Sequence, residues 1–207
     1  MTPEPIRKFT DAFARLPGIG PRQATRLAFH VKSLGEAAIS ELAAVIDGLK
    51  AIQTCERCFF THDTSRKNTC PFCDNPQRNQ SIIAVVEKET DVISIEKTKK
   101  YGGRYLILGE LKKDGLLDDL QKLKLASLKS WIGKELAPST SSGRGLAEEI
   151  IIAISPTTYG DINAGMIAQE LKGAAKKMTR LGRGIPTGGE IEFADEDTLS
   201  AALDNRA

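Results

Sequence analysis

The residues of this chain whose types and spacing carry the most chemistry are Cys55 and Cys58, in Cys55-Glu56-Arg57-Cys58, and Cys70 and Cys73, in Cys70-Pro71-Phe72-Cys73. Two residues between cysteines let both thiolates face one ion from a knuckle turn, and two such knuckles complete a tetrahedral shell. Zinc is the expected occupant, one ion per chain. Its role is structural, because a closed shell of four thiolates leaves no open position for a substrate and so short a loop cannot build its own core without the metal. Two other uses of the same residues stand beside this one. They are redox C-x-x-C pairs or unligated thiols, and an iron–sulfur cluster ligated by four cysteines. Phe59 and Phe72 beside the knuckles favour a zinc ribbon or finger. His62 lies inside the module but has no role once four thiolates complete the shell.

A second chemistry is written into Leu16-Pro17-Gly18-Ile19-Gly20-Pro21. Glycines lack the Cβ atoms that would block a phosphate, so backbone N–H groups at the start of the following helix can donate to it, aided by the helix dipole. Arg22 and Arg26 are one helical turn apart and can face the same phosphate path. Gly18, Gly20, Arg22 and Arg26 are therefore the candidate DNA contacts, of a kind that fixes position on the backbone and reads no base. The plainer alternative is a helical hairpin with a proline–glycine turn and two solvated arginines. His30 follows on the same helix and reads as packed or partly exposed.

These residues need elements to hold them. Ile6, Phe9, Phe13 and Leu16 recur at helical spacing, Pro21 opens a second helix through Ala24, Leu27, Ala28 and Val31, and Ser40 begins a third that runs up to the first cysteine. Beyond the cysteines, Ile82 to Val86, Tyr105 to Leu108 and Ile150 to Ile154 are short apolar runs of the kind buried in a parallel sheet. Helical patterns follow the first and third, and another ends near Leu136. That alternation predicts an α/β domain with helices on both faces of the sheet. Residues 137–146, with Pro138 to Gly143 small and polar, read as a surface insertion. Gly188-Gly189-Glu190 reads as a turn into a short strand through Ile191 and Phe193, before a last helix with Leu199 and Leu203.

The chain has 207 residues, a 41% hydrophobic share and a formal net charge of +2. A core is affordable at that composition, and nucleic-acid contact must come from local Arg and Lys clusters rather than a uniformly basic surface. The longest apolar runs are far too short to span a bilayer, which predicts no membrane partner and a cytoplasmic location. The cysteine pairing favours metal over disulfides in such a compartment.

In this order, the parts resemble the bacterial recombination-mediator family RecR over nearly the whole length. Leu16 to His30 looks like the family's helix-hairpin-helix and Cys55 to Cys73 its zinc finger. Ile83 to Glu87 with Asp91-Val92 is similar to the opening strand of its Toprim domain, and Gly102-Gly103-Arg104-Tyr105 to the start of the second strand. Arg183 to Pro186, Gly188 to Glu190 and Thr198-Leu199 resemble its C-terminal region. The expected division is 1–54 helix-hairpin-helix, 55–76 zinc finger, 80–178 Toprim domain and 179–207 C-terminal strand and helix. What the resemblance implies is a non-enzymatic, ring-forming protein, a dimer or tetramer. It works with RecO, and in some pathways RecF, to load recombinase at gapped or single-stranded DNA, and is associated with the nucleoid when bound.

The chain departs from the family pattern in two places. Gly109-Glu110-Leu111-Lys112-Lys113-Asp114-Gly115 is shorter and charged, and Tyr159-Gly160-Asp161 stands where the family carries an acidic residue just before a glycine. A catalytic Toprim site holds Mg2+ with a glutamate after its first strand and an Asp-x-Asp pair after a later one. Here Glu87 is kept, the later loop reads Ser155-Pro156-Thr157, and Asp161 lies further on. Glu87 and Asp161 are thus an acidic remnant. The alternative reading in a different class is a Mg-dependent Toprim nuclease or topoisomerase-like enzyme.

Overall fold

The structure is a computed structural model that describes residues 2–63, 70–137, 145–182, 184–185 and 188–204. The stretch from Pro138 to Gly143, expected as an insertion, lies outside the described residues. The chain divides into two compact units, Met1–Ile52 and Gln53–Ala207.

The first unit is helical: α1 (Glu4–Phe13), α2 (Pro21–Ser33) and α3 (Glu36–Gly48). Proline occupies the first turn of both α1 and α2, where its missing N–H costs nothing. The small side chains Ala24 and Ala28 are the buried positions of α2, and Thr10 and Thr25 approach to 3.3 Å between α1 and α2. Phe9 and Phe13, four apart on α1, stack with centroids 3.9 Å apart. The third helix begins at Glu36 rather than Ser40, because Gly35 turns the chain at φ +90°, a conformation that favours glycine. It also stops at Gly48 instead of reaching the cysteines. A single 3-10 turn, Leu49–Ala51, follows, and then a short strand, β1 (Ile52–Thr54).

In the second unit β1 pairs with β2 (Thr61–Asp63) around the first knuckle. The main sheet contains β3 (Asn79–Val86), β4 (Gly103–Ile107), β5 (Ala147–Ala153) and β6 (Ala175–Arg180) in the order β4-β3-β5-β6, all parallel. Helices α4 (Glu89–Lys97), α5 (Asp119–Glu135) and α6 (Thr158–Glu170) connect or flank the strands. The strand β6, Ala-Lys-Lys-Met-Thr-Arg, has no apolar run to announce it. Among the described residues it is an edge strand bonded to β5 alone, and lysines on an edge discourage pairing with another chain.

Period-two alternation sorts the core into two faces. Ile83 and Val85, Leu106 and Leu108, and Ile150, Ile152 and Ile154 pack with Leu125, Leu128 and Ile132 of α5 and Ala164 and Ile167 of α6. The alternate residues Ala84, Val86, Tyr105, Ile107 and Ala153 meet Val92 of α4 and the four cysteines. Helices therefore lie on both faces, as expected, and the cysteine module covers part of one. Each fully buried Ile or Leu contributes roughly 1.5–3 kcal/mol. Gly103 is required by packing, since a Cβ there would sit 2.5 Å from the Ile82 carbonyl oxygen and from the Tyr101 hydroxyl.

The C-terminal segment corrects one expectation. Ile191–Phe193 forms a 3-10 turn, not a strand, before α7 (Glu196–Asp204). Ile191 and Phe193 are 68% and 79% exposed, and among the described residues no strand pairs with them, so neither burial nor a ladder supports the extended form that their alternation suggested.

Candidate metal centre and nucleic-acid interface

Each cysteine pair is set by a local turn. The Phe59 N–H donates to the Cys55 carbonyl (2.9 Å) and the Cys55 N–H to the Phe60 carbonyl (2.9 Å), closing the first knuckle with Phe59 at φ +63°. In the second, the Asp74 N–H donates to the Cys70 carbonyl (3.1 Å), and the Asp74 carboxylate accepts from the Cys70 N–H (2.7 Å). The result brings together all four predicted ligands: their Sγ atoms lie within 4.8 Å of one another, Cys58 and Cys70 being 3.4 Å apart, and all four are buried. Zinc–sulfur bonds of about 2.3 Å place thiolates of a tetrahedron roughly 3.8 Å apart, so the donor set fits such an ion. Backbone N–H groups of Arg57 and Cys73 each donate to a sulfur, Cys55 and Cys70 respectively, at 3.4 Å. Hydrogen bonding among the thiols pushes them apart in acidity: Cys58, bonded above all to Cys55, is raised, while Cys55, bonded above all to Cys58, is lowered. The four cysteines are a group that can hold a metal ion.

The surroundings attach this group to the sheet. The Ile107 N–H on edge strand β4 donates to the Cys58 carbonyl at 2.9 Å. Phe72 meets Phe60 and Tyr105 edge-on, with centroids 4.8 and 5.0 Å apart. Arg78 lies 4.6 Å above the Phe72 ring and bonds both Glu96 oxygens, and the Tyr105 hydroxyl donates to Glu96 at 2.6 Å. Burial pushes the Glu96 carboxyl up, but the bonds from Arg78 and Tyr105 outweigh it and hold the group below its ordinary value. Arg57 pairs with Asp74, and Arg104 of β4 donates to Cys73 Sγ at 3.2 Å. Arg78 does not stand out in the sequence, and Arg104 does so only as part of Gly102-Gly103-Arg104-Tyr105, since a basic residue beside an apolar run carries no signal of the ring or sulfur it will meet. His62 lies half-buried on β2, and its Nδ1 has no partner among the described residues.

In the helical unit, Gly18 turns the chain at φ +77° and Gly20 caps α2 without a side-chain cap, so the first-turn N–H groups meet no capping side chain. Arg22 and Arg26 are both exposed on α2. Arg26 shares a groove of about 580 Å³ with Ile19, Gln23, Leu27 and His30. His30 is exposed on that groove, and Gln23, not singled out before, reaches it through its spacing of three from Arg26.

Comparison with known proteins fits these parts to one family. Residues 6–49 match the family model RecR, helix-hairpin-helix, residues 81–182 the Toprim domain, and residues 184–207 RecR, C-terminal. A protein of Bifidobacterium longum (strain DJO10A) named Recombination protein RecR is 36% identical over 97% of this chain and 94% of its own length. The chain belongs to the RecR family. A Myxococcus xanthus relative of the same name is 34% identical over 100% of this chain and 98% of its own, and one from Frankia casuarinae 34% over 97% and 95%.

At the carboxyl ends of the RecR-family sheet strands, the acidic remnant is divided. Glu87 follows β3 and lines a cleft of about 150 Å³ with Lys113, Ser155, Thr157, Tyr159 and Asn163, among others. Its carboxylate accepts from the Leu111 N–H at 3.3 Å and lies 3.5 Å from the Lys88 ammonium. Asp161, in the first turn of α6, bonds Arg180 of β6 at 2.5 Å. Among the described residues, the four cysteines are the one group of three or more His, Cys, Asp or Glu that converges as metal ligands do. Gly160 is fixed by packing, because a Cβ there would lie 1.9 Å from the Ser155 carbonyl oxygen. The charged segment after β4 is held by Gln121, which donates to the Glu110 carbonyl (2.8 Å) and forms a capping box with Asp118.

Proposed function

We propose that this chain is a DNA-binding recombination mediator of DNA repair that performs no chemistry on DNA itself. The observation that carries the reading is the pairing of a glycine turn and uncapped helix start with two exposed arginines one turn apart, in a chain with RecR-family parts from end to end. Gly18 and Gly20 admit a phosphate to the start of α2, and Arg22 and Arg26 neutralise its neighbours. Cys55, Cys58, Cys70 and Cys73 hold one structural zinc ion, which supplies folding energy and takes no part in a reaction. The Toprim domain serves as a scaffold, with Glu87 and Asp161 kept for structure or partner contact. The working division is 1–54, 55–76, 80–178 and 179–207.

RecO- and RecF-type proteins are the proposed partners in loading recombinase at gapped or single-stranded DNA. Self-association into a ring of two or four copies would multiply weak phosphate contacts through effective concentration. The proposed place of work is the cytoplasm and the nucleoid, where such DNA lies; separately, no helix among the described residues is long and apolar enough to cross a membrane. The test is fluorescence anisotropy with gapped, single-stranded and duplex DNA, with and without Mg2+, beside a gel assay for cleavage. Salt-sensitive binding without cleavage is expected. Mg2+-dependent cleavage lost in Glu87→Ala would establish a Toprim nuclease or topoisomerase-like enzyme instead.

A further inference from the structure

Arg104 is an anomaly in the fold. Its residue is 2% exposed, on the edge strand of the sheet. By strand alternation it belongs with Leu106 and Leu108 on the α5 face, and its guanidinium carbon lies 3.7 Å from the centre of the Trp131 ring of α5. From there Nη2 reaches Cys73 Sγ on the cysteine module. Nε and Nη1 are buried and have no hydrogen-bond partner among the described residues, and no carboxylate among them pairs with Arg104. Guanidinium stays protonated in proteins, so the group cannot relieve its burial by losing charge. An unpaired buried charge costs several kcal/mol and requires an anionic partner.

The partner on the page is sulfur. Four neutral thiols carry no charge, whereas four thiolates around a divalent cation carry a net charge of about −2. Arg57, a second cation near the cluster among the described residues, is more exposed and already paired with Asp74. We propose that Arg104 is the buried counter-charge of the four-cysteine metal centre, so that metal occupancy and the burial of Arg104 against β4 and α5 stabilise each other. This rests on the reading of the cysteines as a metal site. It assigns to Arg104 a positioning role: the guanidinium fixes the Cys73 thiolate and ties the metal centre to the sheet, so the module and the α/β domain respond to the metal together.

The coupling is reciprocal by linkage, which makes it measurable from both sides. Loss of a group bonded to a ligand typically weakens metal affinity about 10–100-fold. The full chain loaded with zinc is compared with Arg104→Met, which keeps the stem and removes the charge, and Arg104→Lys, which keeps the charge and removes the planar fork. Zinc release to a chromogenic chelator is expected to be fastest in Arg104→Met and intermediate in Arg104→Lys. Thermal melts with and without zinc complete the cycle: metal removal should lower the melting temperature of the parent more than that of Arg104→Met. The Co2+-loaded protein gives a third readout, in which loss of the N–H to Cys73 sulfur moves the thiolate-to-metal charge-transfer band to longer wavelength.

Equal zinc release and equal melting shifts in all three proteins would overturn the role of Arg104 while leaving the metal site standing. So would identical behaviour of the Lys and Met variants, since charge would then be irrelevant. If Arg104→Met is insoluble, the Lys variant and its Co2+ spectrum decide, an unshifted band with unchanged release counting against the proposal. A parent protein that takes up no zinc would instead sink the metal reading on which the inference rests.

Discussion

Replacing Arg22 and Arg26 together by alanine tests the proposed DNA interface with a number attached. Four residues along an α-helix advance about 6 Å, so the two side chains can address two nearby phosphates of one strand. Both are exposed, and neither forms an ion pair among the described residues, so their charges are available to a ligand. Each phosphate neutralised on duplex DNA contributes about −0.9 to the slope of log affinity against log salt. The double variant should therefore flatten that slope by roughly 1.8 on duplex DNA, and by roughly 1.4 on single strands, where each contact contributes about 0.7. The fold should hardly notice, since exposed substitutions away from packed features usually change stability by about 0.5 kcal/mol or less. The assay is anisotropy of labelled DNA titrated at several salt concentrations, with zinc content and thermal melting measured on the same samples. A slope unchanged within error, in a variant that melts like the parent, would show that these arginines are solvated surface and that the contact lies elsewhere.

Chelating the metal, or changing Cys58 to Ser, should lower the melting temperature by roughly 6–12 °C, the shift that about 3 kcal/mol produces in a domain of this size. A scan with and without chelator checks it, because the cysteines share a core cluster with Val86 and Tyr105. Gly160→Ala should cost about 1–3 kcal/mol in a denaturant titration, since its methyl would strike the Ser155 carbonyl and push α6 off β5. Glu96 has a folded-state pKa below its unfolded value, so its stabilising contribution is present above the unfolded value and is lost as pH falls through the folded one. Glu96→Gln should therefore be less stable than the parent near neutrality and lose less stability as the pH falls through and below the ordinary carboxylate range. Parallel acid titrations of the two proteins would refute this. Ile167→Ala, at a fully buried position, should cost roughly 2–5 kcal/mol in the same titration.

The sequence by itself determined whatever depends on neighbours along the chain. The Cys-x-x-Cys spacing specifies knuckles because their hydrogen bonds close within a few residues, and Gly18 to Pro21 specifies a turn and a helix start for the same reason. The apolar runs at Ile82 to Val86 and Ile150 to Ile154 announced β3 and β5 because strands buried on both faces must be apolar throughout. Tertiary structure decided the rest. The strand β6 exists because β5 offers it an edge, not because its own lysine-rich sequence asks for one, whereas Ile191 and Phe193, which alternate as a strand would, form a 3-10 turn that pairs with no strand among the described residues. Arg78 and Arg104 acquire their partners across 18 and 31 residues of sequence, through rings and a sulfur placed by the sheet. Local rules set which residues can turn, cap or ligate. Only the folded chain decides which charge must be buried beside which, because desolvation depends on everything packed around a group rather than on its neighbours in sequence.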